Sequence, residues 1–315
     1  MSTDTIQSAA VLADGRKPSV LELLSELQPW LAERLRHVTV CEDVQAFGAD
    51  DARRLQASDK APQLVVVLGG DGSILSAVQA FADEPVPTLG VNLGRVGFLA
   101  SAQNTEWREA LEHVLAGRCM LERRMRFSVR LCPRGDGDEG IEAIALNDAV
   151  VARGASQGML TIALRVGKHW VTNYRADGLV VATPSGSTAY SLASGGPVLA
   201  PAMQGIVVTP ISPQALAHRP IVLDTESELS LALTGATGEA LGDSKGEATL
   251  VVDGHTVGTV RTGDVLRIQR HPVPYPLLSP PGLDPYKRLR DRLGWRGSIE
   301  ADVFPDEDPG ASCDS

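Results

Sequence analysis

The segment Leu64–Phe81, LVVVLGGDGSILSAVQAF, constrains the fold of this chain more than any other. Its five apolar residues Leu64–Leu68 predict a strand buried on both faces, as in the middle of a parallel sheet. Three glycines and Asp71 form the next turn, and apolar residues at helical spacing follow. Glycines leave room for a ligand, and the unpaired amides at a helix start suit an anion. The segment therefore predicts a phosphate site.

Asp71 distinguishes this turn from a close strand-to-helix connection, which is the simpler explanation of the glycines. An acid between glycines gains no packing, and its charge repels phosphate unless a metal ion or a reacting hydroxyl lies between them. The sequence has no G-x-x-x-x-G-K-[ST] segment, whose lysine would hold a phosphate. We therefore expect a divalent cation such as Mg²⁺ to accompany the phosphates.

Residues 1–117 alternate strands with helices. Strands are expected at Ala9–Leu12, His37–Cys41 and Leu64–Leu68, with a helix over Val20–Leu35 that begins at an N-cap, Ser19. This order predicts a Rossmann-like parallel sheet, which binds ligands at the carboxyl ends of its strands. The segment Pro87–Leu99 adds a short strand and a second glycine turn beside the same crevice, and a helix over Thr105–Leu115 ends before Gly117.

From Arg118 onward the pattern changes to short segments rich in Val, Ile and Thr, which predict a β-rich, sandwich-like domain over residues 118–272. The first five expected strands are Arg126–Cys132, Ala143–Val151, Leu160–Val166, Trp170–Tyr174 and Leu179–Thr183. A helix over Asp284–Leu293 predicts that residues 273–299 pack back on the first domain. The fold class is thus α/β plus all-β. Residues 300–315 hold six acids and no base and predict a disordered tail.

The length, net charge, apolar runs and cysteine spacing of the chain argue against several classes of protein. The 315 residues suffice for two cores, and the net charge of -10 argues against general nucleic-acid binding, which needs a basic face. No run of about 18 apolar residues is present, and the N-terminus lacks a basic start followed by an apolar core, so we expect neither a membrane span nor export. The four cysteines show no C-x-x-C spacing, which favours a reduced cytoplasmic protein without a zinc site.

Three places in the β-rich half contain candidate functional residues. Asn147 and Asp148 interrupt an apolar strand, and an exposed strand end is the plain interpretation. The segment 175–191 combines a strand, a Pro/Gly turn and a helix start capped by Ser187 or Thr188. Arg175, Asp177 and Tyr190 suit a ligand with phosphate, ribose and ring faces. In Val252–His255 the Asp-Gly pair predicts a hairpin turn, with a surface histidine after it.

The chain resembles the NAD kinases of bacterial type in five segments, which are, in chain order, LGGDGS, GVNLGRVGFL, ALND, YRADGLVVATPSGSTAYSLASGGP and VVDGH. The resemblance covers Val65 to His271, and Leu293-Gly294-Trp295 is similar to the end of that family's fold. The long central segment is specific. A GGDG turn alone is shared with phosphofructokinases and diacylglycerol-type lipid kinases.

The resemblance implies ATP-dependent phosphorylation of the 2′-hydroxyl of the adenosine ribose of NAD, with Mg²⁺, in a homodimer or homotetramer. It implies that Asp71 is the catalytic aspartate and general base. The remaining implied substrate contacts are Gly72, Phe98, Asn147, Asp148, Arg175, Asp177, Thr188, Ala189, Tyr190, Ser191 and His255. The chain departs from the family pattern at five positions, which are Ser73, Asp148, Ser185, Gln214 and His255.

Two other classes of function remain open at this point. A sugar-phosphate or lipid kinase would share Asp71, but neither explains the segment Tyr174–Pro197. A non-catalytic NAD(H) sensor would need Asn147, Asp177 and Tyr190 but not Asp71. The sequence also leaves open whether ATP or polyphosphate is the donor, whether NADH is accepted, the oligomer size, and feedback by NADP(H).

Overall fold

The computed structural model describes residues 6–94, 97–135, 140–154, 158–237, 247–282 and 284–295. The expected acidic tail, residues 300–315, lies outside the described residues. The helices are α1 Pro18–Ala32, α2 Ala49–Gln56, α3 Asp71–Ala80, α4 Trp107–Leu115, α5 Tyr190–Ala193 and α6 Pro285–Leu293. No helix in the described ranges is long and apolar enough to cross a membrane.

The strands, numbered along the chain, are β1 Ser8–Ala13, β2 His37–Cys41, β3 Leu64–Leu68, β4 Thr88–Asn92, β5 Ala102–Gln103, β6 Met120–Arg124, β7 Phe127–Cys132, β8 Ile141–Ala145, β9 Asp148–Arg153, β10 Met159–Val166, β11 His169–Ala176, β12 Gly178–Ala182, β13 Ile206–Ile211, β14 Ile221–Leu223, β15 Leu229–Thr237, β16 Glu247–Val252, β17 His255–Arg261, β18 Val265–Arg270 and β19 Tyr275–Ser279.

The first sheet has the strand order β2-β1-β3-β4-β19-β6, with β5 beside β4. Its strands are parallel except β6, which pairs antiparallel with β19. All five residues of β3 are buried, as the apolar run predicts for a strand covered by helices on both faces. The carboxyl ends of β3 and β4 lie side by side, so the two glycine turns border one crevice.

Helix α1 begins two residues earlier than the sequence predicts. Its N-cap is Lys17, and Pro18 occupies the first turn, where the fixed φ of proline suits a helix and its missing N–H costs nothing. Ser19 therefore lies inside the helix, and the expectation that it caps the helix is wrong.

The second and third sheets form the predicted sandwich. Their strand orders are β11-β10-β15-β18-β7-β8 and β14-β13-β12-β9-β16-β17, and every pair is antiparallel. A common core lies between them, with Phe127, Leu164 and Leu231 from one sheet and Val151, Val181 and Leu250 from the other. This arrangement confirms the predicted fold class, a parallel sheet with helices followed by a β-rich domain.

The chain passes from the first sheet to the sandwich after β6 and returns at β19. These strands are neighbours, with Arg124 opposite Tyr275. Strand β6 thus belongs to the first sheet although it lies beyond the boundary expected at residue 117. Helix α6 follows β19, and the Arg288 side chain on it donates to the carbonyl of Phe98 at 3.2 Å.

The expected strand Ala143–Val151 is in fact two strands. Strand β8 belongs to the second sheet and β9 to the third. Between them the amides of Leu146 and Asn147 donate to the carboxylate of Asp253 instead of to a neighbouring strand. The prediction of one continuous strand is wrong because this carboxylate, about a hundred residues away in the sequence, takes the hydrogen bonds that a strand would need.

Candidate active site

Asp71 lies at the start of α3, directly after the glycine turn that ends β3. Gly70 is the N-cap, with extended backbone, and Asp71 is the first helical residue. The half-buried carboxylate of Asp71 accepts hydrogen bonds from two successive amides, Phe98 at 2.8 Å and Leu99 at 3.2 Å. The turn after β4 therefore orients the acid that follows β3, because each oxygen of the carboxylate is held by one amide.

The glycines around Asp71 have two different roles. A Cβ on Gly97 would lie 1.8 Å from Oδ1 of Asp71, so only glycine lets the loop approach this carboxylate. Gly69 is similar, since a Cβ there would lie 2.3 Å from the hydroxyl oxygen of Ser73. A Cβ on Gly70 or Gly72, in contrast, would meet no heavy atom of the described chain within 4 Å. The surface of the turn beside Asp71 is thus open to a ligand.

A second loop, Leu146–Asp148, is shaped by Asp253. The backbone φ of Asp253 is +48°, and with Gly254 it forms the predicted hairpin turn between β16 and β17. The buried carboxylate accepts hydrogen bonds from the amides of Leu146 at 2.7 Å, Asn147 at 2.7 Å and Asp148 at 3.1 Å. It also accepts one from Nε2 of Gln79 at 2.6 Å. Four donors therefore converge on one side chain.

Gln79 connects this loop to the first domain. It lies on α3, the helix that begins with Asp71, and its Nε2 also donates to the carbonyl of Ile144 at 2.9 Å. Burial raises the pKa of Asp253, although the three loop amides and Gln79 act in the opposite direction. The helix of Asp71 and the loop of Asn147 are thus tied together by one carboxylate.

Both polar residues of this loop are buried, so the interpretation of an exposed strand end is wrong. Asn147 is 9% and Asp148 5% exposed. Within the described part of the chain the side-chain oxygen of Asn147 has no hydrogen-bond partner. Burial, followed by the charge of Asp253, raises the pKa of Asp148 to about 7, and the amide of Tyr190 opposes this shift. An unpaired amide oxygen and a carboxyl group near its titration point thus lie next to each other.

Two family models match the chain, the ATP-NAD kinase N-terminal domain over residues 10–119 and the ATP-NAD kinase C-terminal domain over residues 146–279. An NAD kinase of Rhodopirellula baltica is 36% identical over 290 residues, which are 90% of this chain and 89% of that protein. An NAD kinase of Cellvibrio japonicus is 40% identical over 251 residues, 79% of this chain and 81% of that protein.

The chain belongs to the ATP-NAD kinase family. Membership makes it an enzyme, a kinase that phosphorylates NAD with ATP, and confirms the resemblance found in the sequence. A solved NAD kinase from Archaeoglobus fulgidus in complex with ATP has a TM-score of 0.66 at 26% identity and covers 91% of this chain and 98% of that chain. Yeast NADH kinase complexed with NADH has a TM-score of 0.78 at 22% identity, covers 95% of this chain and 90% of that chain, and supports the fold alone.

The turn after β12 packs against the Asn147 loop. The amide of Thr183 donates to the carbonyl of Asn147 at 2.8 Å, and its hydroxyl donates to the carbonyl of Leu146 at 2.6 Å. A Cβ on Gly186 would lie 2.0 Å from the Asn147 carbonyl oxygen. Thr183 and Gly186 therefore fix the distance between the two segments, and sequence reasoning gave neither of them this role.

The predicted helix cap at Ser187 or Thr188 is absent. A turn of 3₁₀-helix, Gly186–Thr188, precedes the short helix α5, and neither has a side-chain cap. The two hydroxyl groups donate instead to carbonyls three residues back, Ser187 to Pro184 at 2.7 Å and Thr188 to Ser185 at 3.0 Å. A serine or threonine hydroxyl near a turn can either accept from a helix amide as a cap or donate to a nearby carbonyl, and here both hydroxyls donate to carbonyls.

The other predicted site residues after β12, Ala189, Tyr190 and Ser191, differ in solvent exposure. Ala189 is half-buried and joins the 3₁₀ turn to α5, and Tyr190 is 45% exposed. Ser191 is buried, and its hydroxyl lies 2.8 Å from that of Thr209. The structure therefore places Tyr190 at the surface next to Asp148, whereas the Ser191 side chain supports the turn from within.

Three predicted residues lie on other elements. Arg175 is exposed on β11, where its carbonyl accepts the amide of Gln214 at 2.9 Å. Asp177, between β11 and β12, pairs with Arg153, with 3.3 Å between Oδ1 and Nε. His255 is exposed at the first position of β17. Hydrogen bonds join Asp71 to Phe98 and Asp148 to Tyr190, and the contacts given above for Arg175 and Asp177 are with other residues.

Proposed function

We propose that the chain transfers the terminal phosphoryl group of ATP to the 2′-hydroxyl of the adenosine ribose of NAD, with Asp71 as the general base. The observation that carries this proposal is the carboxylate of Asp71, held by the amides of Phe98 and Leu99 beside an open glycine turn. A carboxylate fixed at the start of a helix lies where phosphate binds, and phosphate repels it unless a proton-bearing hydroxyl lies between.

Positioning is then the main contribution of Asp71. A carboxylate is a weak base toward an alcohol, so the hydroxyl proton transfers late, as the oxygen bonds to phosphorus and the bond to the leaving group breaks. The two amides fix the direction of the acceptor oxygen before the reaction, and the helix start of α3 favours negative charge next to it. General-base assistance of this kind is worth about 10²- to 10⁴-fold.

The Asn147 loop is the proposed site of the adenosine. The unpaired side-chain oxygen of Asn147 suits an amino group of a base, and the carboxyl of Asp148 suits ribose hydroxyls. Phe98 and Thr188 line one cavity beside this loop, and Tyr190 offers an exposed ring. We extend the proposal to Gly72, Ala189, Ser191, Arg175, Asp177 and His255 as further contacts of the dinucleotide or supports of its binding turn.

Mg²⁺ is part of the proposal as a partner of the phosphates. The described residues contain no group of three or more His, Cys, Asp and Glu side chains placed to hold a metal ion. We propose a cation that retains waters and is bound by phosphate oxygens rather than by a dedicated set of protein ligands. When bound, Mg²⁺ would neutralise charge on the transferring phosphate.

The test is NADP formation by the purified chain with NAD, ATP and Mg²⁺, followed with an NADP-specific dehydrogenase. Asp71→Asn should retain NAD binding by calorimetry and lose at least about 10²-fold in turnover, whereas Asp59→Asn, on the exposed surface, should not change the rate. Near-normal turnover in Asp71→Asn would remove this residue from catalysis. NAD binding without NADP formation by the wild type would favour an NAD(H) sensor.

We also propose a homodimer or homotetramer in a reducing compartment, the cytoplasm. The three described cysteines, Cys41, Cys119 and Cys132, are free thiols, which fits such a compartment. Arg175 and His255 are exposed, and a second copy of the chain would bring further groups to them. Light scattering after size-exclusion chromatography tests the oligomer, and a purely monomeric active enzyme would refute it.

A further inference from the structure

Helix α6 contacts the loop that holds the carboxylate of Asp71. Nη1 of Arg288 donates to the carbonyl oxygen of Phe98 at 3.2 Å. One turn further along the helix, the guanidinium of Arg292 lies 5.6 Å from the centre of the Phe98 ring. Residues four apart share one face of a helix, so the same face of α6 covers both the backbone and the ring of Phe98.

The hydrogen bond from Arg288 reaches the peptide group that also serves Asp71. A peptide group joins the carbonyl of one residue to the amide of the next, so the Phe98 carbonyl and the Leu99 amide belong to one planar unit. Its oxygen accepts from Arg288, and its N–H donates to Oδ1 of Asp71 at 3.2 Å. Hydrogen bonds in such a chain polarise one another, so a charged donor at the oxygen strengthens the N–H as a donor. Because the unit is planar, holding the oxygen also fixes the direction of the N–H.

Stability does not explain the burial of the Arg288 guanidinium. Arg288 is 8% exposed, and its Nη2 has no hydrogen-bond partner among the described residues. Burial lowers the pKa of Arg288, the charges of Glu122 and Asp71 oppose this, and the charge of Arg124, which itself pairs with Glu122, adds to it. A desolvated charge and a buried donor without an acceptor both destabilise a fold. Such unsatisfied groups are expected at functional sites, where another gain accounts for them.

We propose that Arg288 is a positioning residue of the phosphoryl transfer, which fixes the Phe98–Leu99 peptide group and thereby the carboxylate of Asp71. This rests on the proposed function, in which Asp71 accepts the proton of the attacking hydroxyl. The carboxylate can take that proton only while its acceptor oxygen points at the hydroxyl, and small errors of position lower the rate of such a step strongly. The loop itself includes Gly97, whose backbone is intrinsically free, and Arg288 holds it from outside.

Three variants test this role through kcat, measured at saturating NAD and ATP so that changes in substrate affinity do not enter. Arg288→Met keeps the length of the side chain and removes its donors. It should lower kcat at least about tenfold, because a charged hydrogen bond corresponds to about 10- to 10²-fold. Arg288→Lys keeps a charged donor and should recover part of the loss. The matched control from the same helix is Arg290→Gln, whose side chain pairs with Asp284, and it should behave as wild type.

Urea unfolding separates positioning from folding. Arg288→Met should keep or exceed the free energy of unfolding of the wild type, because replacing a buried, incompletely bonded charge with an apolar side chain is often neutral or stabilising. A fall in kcat that comes only from unfolded Arg288→Met protein would overturn the proposal, as would an unchanged kcat.

The sharpest measurement is Arg288→Met in the background of Asp71→Asn. If Arg288 acts through Asp71, the second substitution should change the residual kcat by less than about twofold, since residues that act as a unit are not additive. A tenfold loss in both backgrounds would give Arg288 a role independent of Asp71 and overturn the proposal.

Hydrogen exchange of the Leu99 amide, measured without substrates, gives a readout that does not depend on turnover. This amide should exchange faster in Arg288→Met than in Arg290→Gln, and equal rates would overturn the proposal. If the wild type makes no NADP, or if Asp71→Asn keeps normal turnover, the proposed function fails and the positioning role fails with it. Faster exchange in Arg288→Met would then still show that Arg288 holds this peptide group.

Discussion

Replacing Asp253 with asparagine isolates the contribution of its second carboxylate oxygen. Asparagine tolerates the backbone φ of +48° at this position, so the hairpin turn is retained. One carboxylate oxygen accepts the amides of Asn147 and Asp148, and the other accepts Leu146 and Gln79. The new NH₂ group would face the last two donors. Gln79 can rotate its amide to present an oxygen, at the cost of its hydrogen bond to the Ile144 carbonyl, but the Leu146 amide cannot.

The expected destabilisation follows from the hydrogen bonds that Asp253→Asn would lose or weaken. One buried backbone donor is left without an acceptor, which costs about 1–3 kcal/mol. Two further hydrogen bonds change from charged to neutral acceptors, while the loss of a buried charge offsets part of the total. We therefore expect Asp253→Asn to destabilise the Asn147 loop by about 2 kcal/mol. Because about 1.4 kcal/mol is a factor of ten, KM for NAD should rise about thirtyfold.

Steady-state kinetics with NAD varied, together with urea unfolding, measures both effects. The matched control is Asp264→Asn, another buried carboxylate, in the turn between β17 and β18. It accepts two backbone amides, Arg134 at 2.9 Å and Arg261 at 2.7 Å, and none from the Asn147 loop. It should lose comparable stability and keep its KM for NAD. Equal kinetic effects in the two variants, or none in Asp253→Asn, would refute the positioning role.

Two further predictions concern the same site. Gly97→Ala should lower turnover at least about 10²-fold, because its Cβ would displace the Asp71 carboxylate. The control Gly94→Ala, whose Cβ would have its nearest contact at 4.0 Å, should keep the wild-type turnover. Normal turnover in Gly97→Ala would show that the loop adapts. The pKa of Asp148 is raised from 3.8 to about 7 in the folded chain. Between about pH 4 and pH 7 the folded chain therefore holds a proton that the unfolded chain has released. The free energy of unfolding falls as the pH rises through this range. Asp148→Asn should therefore gain in unfolding free energy relative to wild type between about pH 4 and pH 7 in urea titrations, and a constant difference would contradict the shift.

The sequence predicted the elements whose signals are local. Strand β3 has the expected bounds, and the glycine turn ends at the helix that begins with Asp71. Strands β6 and β19 were not predicted. One is MLERR, where charged residues conceal a strand, and the other is YPLLS, where proline argues against one.

The part of the site that could not be predicted depends on distant partners. Nothing near Asn147 signals that its amide donates to Asp253, or that Gln79 on α3 completes the same set of hydrogen bonds. The Asp-Gly pair predicts the hairpin correctly, but a turn signal does not show what the carboxylate contacts. The burial of Arg124 and Arg288 likewise depends on three elements that meet only in the folded chain.

The pairing of β6 with β19 has a mechanical consequence. The sandwich is joined to the parallel sheet by two chain crossings that lie side by side, where Arg124 faces Tyr275. Two adjacent attachment points define an axis, so the softest movement of the sandwich is a swing about that line. Such a swing would change the gap between Asp71 and the Asn147 loop, and it would have to break the hydrogen bonds from Gln79 to Asp253 and to the Ile144 carbonyl, and the one from Arg126 to the Ala82 carbonyl.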